Sequence, residues 1–108
     1  MELVLVRLTV PTAAAAVPPP PISPEVVVDI LWSTSVPDDR LEHVRARPGP
    51  SPGTVDLALF LRIGATPVVE AVEATEAAEA LCRRAIATAP SLSDWSFEVL
   101  RVVRGSLL

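Results

Sequence analysis

Residues 54–89 read TVDLALFLRIGATPVVEAVEATEAAEALCRRAIATA, and how this stretch divides decides the fold. Val55, Leu57, Leu59, Leu61 and Ile63 fall on alternate positions, with Asp56, Ala58, Phe60 and Arg62 between them. A period of two with unequal sides is the pattern of a strand that turns one face to a core. Gly64 interrupts it, Thr66 offers a hydroxyl to cap a helix, and Pro67 takes a first helical position, where its missing N–H costs nothing. From there Val68, Ala71, Val72, Thr75, Ala78, Leu81, Cys82, Ala85 and Ala89 recur at three- and four-residue spacing, predicting a long helix with a stripe of mostly small apolar side chains. Glutamates crowd its early turns and arginines its later ones, in keeping with the helix dipole, and Glu79 stands four residues before Arg83. Pro90 ends it. In a competing reading, residues 68–74 pair as a strand and the helix starts near Thr75.

Working outward, residues 2–10 alternate apolar positions on both sides and predict a strand in the sheet interior, stopped by Pro11. The Pro/Ala-rich segment at 11–23, with four consecutive prolines, reads as a stiff surface connection; its PxxP spacing from Pro18 to Pro21 also suits an aromatic-lined groove. Ser23-Pro24-Glu25 carries the signature of a helix start, and Val27, Ile30, Leu31 and Thr34 form the inner face of the helix that follows. The three valines at 26–28 pull toward strand instead. Val36-Pro37-Asp38-Asp39 is a turn, with the aspartates serving as backbone caps. Residues 41–47 form a strand with Val44 and Ala46 inward and His43, Arg45 and Arg47 outward, joined by the Pro- and Gly-rich loop 48–53 to the strand of the opening stretch. Residues 95–103 are a final strand, after which RGSLL frays.

The order is strand, helix, strand, strand, helix, strand. This predicts one α+β domain over 1–108, a ferredoxin-like βαββαβ unit with a four-stranded antiparallel sheet and both helices on one face. The likeness is one of topology alone, and fold does not license function.

Composition narrows the function classes. Half of the residues are hydrophobic and 20% are charged, which excludes global disorder. All nine basic residues are arginine, and Lys, Asn, Gln and Tyr are absent, the mark of a GC-rich bacterial genome. A net charge of −4 counts against nucleic acid as partner. A single cysteine rules out an internal disulfide and a multi-cysteine metal site and fits a reducing compartment. No run of about 18 apolar residues marks a membrane span, and Arg7 inside the first apolar stretch argues against a signal peptide. A cytoplasmic protein is expected.

With the larger aliphatics against the helices, the opposite face receives Leu3, Leu5, Arg7, Thr9, His43, Arg45, Arg47, Asp56, Phe60, Arg62 and, in one register, Phe97, Val99 and Arg101; the six expected to form an interface or ligand face are Arg7, His43, Arg45, Phe60, Arg62 and Arg101. A bare face mixing arginine, aliphatic and aromatic side chains has the content of an interface core. The expectation is a non-catalytic interaction or accessory module that self-associates as a homodimer or docks a protein partner through this face. The alternative is a small-molecule-binding protein or cofactor-free enzyme of the dimeric α+β barrel kind, taking a small anionic or aromatic ligand with His43 as acid or base. Binding of single-stranded RNA with Phe60 as platform ranks last. Cys82 reads as a buried thiol, the glutamates 70, 73 and 76 as a solvated face, and Trp32 and Trp95 as anchors of element ends. No phosphate loop, paired-cysteine site, HExxH or GxSxG occurs, so no catalytic residue, metal or cofactor is expected.

Overall fold

In the computed structural model, which describes residues 2–10, 23–62 and 67–104, the element order is β1 (Glu2–Thr9), α1 (Pro24–Thr34), β2 (Leu41–Pro48), β3 (Thr54–Leu61), α2 (Pro67–Thr88) and β4 (Ser96–Arg104). Single 3₁₀ turns at Pro37–Asp39 and Pro90–Leu92 follow the two helices. The four strands form one antiparallel sheet in the order β2-β3-β1-β4, consistent with the ferredoxin-like topology. The Pro/Ala-rich connection at 11–22, Ile63, the Gly64 and Thr66 punctuation and the terminal residues 105–108 lie outside the described residues.

The strand that opens the sequence reading behaves as its period requires. Val55, Leu57, Leu59 and Leu61 are buried and meet Leu8, Val6 and Val4 of β1 beneath the helices. Helix α1 wins over the strand preference of its valines because Ser23 accepts a hydrogen bond from the Val26 N–H, Pro24 fixes the first turn, and Val27 and Leu31 gain full burial. Helix α2 is continuous from Pro67, so the segment 68–74 is not a strand. Its buried line is Ala74, Ala78, Leu81, Cys82 and Ala85. Val72 was expected on this line but is 55% exposed. The helical period explains the difference: a line through 85, 81, 78 and 74 puts position 72 on the far side of the helix.

Asp39 joins the two helices. Its carboxylate is buried, accepts from the Val36 N–H at 2.8 Å and takes the Arg84 guanidinium at 2.8 and 3.4 Å. The same guanidinium donates to the Thr34 carbonyl at 3.1 Å, so one arginine of α2 holds the end of α1 and the turn after it. The expected capping role of this turn is thus present, with an ion pair added. Gly53, at φ 82°, lets the β2–β3 connection close, and its carbonyl accepts from the Val10 N–H. Trp95 is buried as an anchor, whereas Trp32 is exposed.

Two predictions test this packing. Leu59 is fully buried on a central strand, so Leu59→Ala should lower the unfolding free energy in urea by about 2–5 kcal/mol. Burial pushes the Cys82 thiol from its ordinary 9.0 up to about 12, with the charge of Glu79 adding to the rise and that of Arg83 opposing it. The folded state therefore holds this proton more tightly, and the contribution is complete below the unfolded thiol value and lost as pH climbs from there toward the folded one. The stability advantage of the wild type over Cys82→Ala should shrink by about 1.4 kcal/mol per pH unit above pH 9; parallel stability curves would refute the assignment.

Candidate functional site

The face away from the helices is organised in rows that run across the strands. Residues paired directly across a ladder project to the same side, so the registers define what stands beside what. The first row is His43, Phe60, Leu3 and Val103, in the order β2, β3, β1, β4. It is apolar apart from its end, where the His43 and Phe60 rings meet at 5.6 Å and 47°. The second row is Arg45, Ala58, Leu5 and Arg101. The third is Arg47, Asp56, Arg7 and Glu98, four charges of alternating sign.

In the third row Arg7 is held by Asp56, with Nε to Oδ1 at 2.8 Å and Nη2 to Oδ2 at 3.3 Å. The Asp56 hydrogen bond raises the affinity of the guanidinium for its proton; desolvation opposes this, and the charges of Asp56 and then Glu98 reinforce it. The second row has no such compensation: neither Arg45 nor Arg101 makes an ion pair among the described residues. Between these arginines, the small Ala58 and the neighbouring Leu5 leave a depression of about 640 Å³, rimmed by Arg45, Arg47, Arg101 and Leu100.

The arrangement depends on β4. Arg101 stands opposite Leu5 but Val99 opposite Val6, so Leu100 is an extra, unpaired residue. This bulge puts Phe97 and Val99 on the helix side, where they pack against the core, while Arg101 and Glu98 face outward. The expectation that Phe97 and Val99 share the open face with Arg101 is therefore corrected: unbroken alternation fails at Leu100. Phe97 instead lies 5.7 Å beneath the Arg83 guanidinium of α2. A second irregularity between Leu41 and His43 keeps Leu41 against the core although His43 faces out.

Of the six residues expected on this face, Arg7, Arg45 and Arg101 meet at the depression, and His43 and Phe60 form the end of the apolar row next to it. Arg62 lies apart, just beyond β3, paired at 2.7 Å with Glu42 and with its side chain 79% exposed. The sequence reading missed Glu98 as a face residue and the pairing of Asp56 with Arg7, because both depend on strand register. Among the described residues, no group of three or more His, Cys, Asp or Glu side chains gathers as a metal site, and no helix is long and apolar enough to cross a membrane. Cys82 is buried on the inner side of α2, away from the open face. Comparison with family models, with curated proteins and with solved structures found no match to this chain.

Proposed function

We propose that this chain is a non-catalytic interaction module that self-associates face to face through its open sheet. The observation that carries this reading is the alternating row Arg47, Asp56, Arg7, Glu98. A two-fold axis lying between two such sheets and parallel to their strands keeps each row at its own level and reverses its order. Arg47 of one copy then stands over the other's Glu98, and Asp56 over the other's Arg7. The row is its own complement, as an isologous interface requires.

The neighbouring row fits the same operator. His43 and Phe60 of one copy lie over Val103 and Leu3 of the other, joining an apolar strip to an apolar strip. Aligned sheet packing keeps strands within about 30° of parallel, so the match is closest over the two central strands, where Asp56 meets Arg7 and Phe60 meets Leu3, and loosens toward the edges. Charge matching of this kind sets orientation more than raw affinity, and the apolar row supplies the burial. Arg62 and Glu42, already paired with each other outside the rows, are bystanders.

Sedimentation velocity on three proteins tests the reading. The wild type should be a dimer. Asp56→Arg sets arginine over arginine at the two middle positions of the row and should weaken association by about ten-fold or more. Adding Arg7→Asp to Asp56→Arg restores both the internal ion pair and the match across the axis, and should bring the dimer back. A wild type that is monomeric even in phosphate buffer, or a double variant no better than the single one, would overturn the proposal.

A further inference from the structure

The second row poses a problem that the dimer creates and cannot solve with protein groups alone. Under the same two-fold axis, Arg45 and Arg101 of one copy stand over Arg101 and Arg45 of the other. Four guanidinium groups then surround a centre floored by Ala58 and Leu5 of both copies, with no carboxylate of that row to answer them. Asp56, which also lines the depression, is already engaged by Arg7, and Glu98 of the adjoining row is met across the axis by Arg47. Burying unpaired charge is expensive, and like charges across an interface oppose its formation.

The same row also provides room. Ala58 is the smallest side chain of the three rows, and the depression it opens holds about 640 Å³ on each copy. Arg45 and Arg101 rim it although their strands lie at opposite edges of the sheet, about 14 Å apart at the usual strand spacing. Guanidinium groups present planar forks that match carboxylate and phosphate oxygens. The apolar floor suits a short hydrocarbon body better than a bare ion.

We propose that the centre of the dimer is a binding site for a small oxyanion, a carboxylate or phosphate on a short apolar body, held between Arg45 and Arg101 of the two copies over Ala58 and Leu5. This rests on the self-association reading and names what completes that interface. The ligand links to assembly: an anion that binds only the dimer tightens it by mass action.

Two probes suffice, inorganic phosphate and hexanoate, each compared with sodium chloride at equal ionic strength so that general screening cancels. The dimer dissociation constant, followed by sedimentation, should fall about five-fold or more when either probe replaces chloride at saturating concentration. Arg45→Gln and Arg101→Gln remove the repulsion as well as the site. Each should dimerise more tightly than wild type in chloride and lose the response to both probes. Ala58→Leu keeps every charge but fills the floor, and should abolish the hexanoate response while sparing at least part of the phosphate response. A wild-type dimer equally tight with and without the probes would overturn the anion site and leave self-association standing. A protein monomeric in chloride and in both probes would overturn both.

Discussion

The register of β4 against β1 is the constraint on which the open face depends. Because side chains alternate along a strand, a slip of one residue exchanges its two faces. Leu100, the bulged residue, makes that exchange inside β4: below it Phe97 and Val99 pack under the helices, and above it Val102 does, while Glu98 and Arg101 stay outside. Without the extra residue, either the aromatic or the arginine would be on the wrong side. Burial enforces the choice, since Phe97 and Val99 contribute to the core and Phe97 also receives Arg83.

The two sides of the sheet differ in how they treat charge. On the helix side, Asp39 is buried but meets Arg84 and a backbone N–H, so a desolvated carboxylate is fully answered and α1 and α2 are joined. On the open side, Arg7 and Asp56 are matched within the row, whereas Arg45 and Arg101 make no ion pair among the described residues. Arginines are expected on any surface. Two of them, rimming a shared depression with an apolar floor on an otherwise acidic protein, concentrate positive potential in one place.

Local signals carried much of the fold. The alternation of Val55, Leu57, Leu59 and Leu61, the Ser23-Pro24 helix start and the Pro- and Gly-rich loop at 48–53 each depend on a few adjacent residues, and each leads to the element observed. What depended on distant pairing was not legible. Asp39 and Arg84 are 45 positions apart, and nothing in either local segment points to the other. The bulge at Leu100 falls in the stretch SFEVLRVVR, where the adjacent apolar pairs Val99-Leu100 and Val102-Val103 suit more than one register, and only pairing with β1 selects among them. Val72 was misplaced because the early turns of α2 are rich in small apolar residues, so several faces compete and only the strands beneath select one. Of the site, the presence of arginines on most strands could be read, but the order of charges along a row could not, since that order exists only after four separated segments are aligned.

The most direct measurement is an isotope-filtered NOE experiment on a mixture of labelled and unlabelled chains, which reports only contacts between copies. The account predicts contacts from the His43 ring of one copy to the Val103 methyls of the other, and from the Phe60 ring to the Leu3 methyls. His43 and Val103 lie on opposite edges of the same sheet, and Phe60 and Leu3 on its two central strands, so the Phe60–Leu3 contact between copies requires packing face to face and separates it from pairing edge to edge. Contacts between copies that came instead from the helix side, for example from exposed Trp32 or Val72, would contradict it.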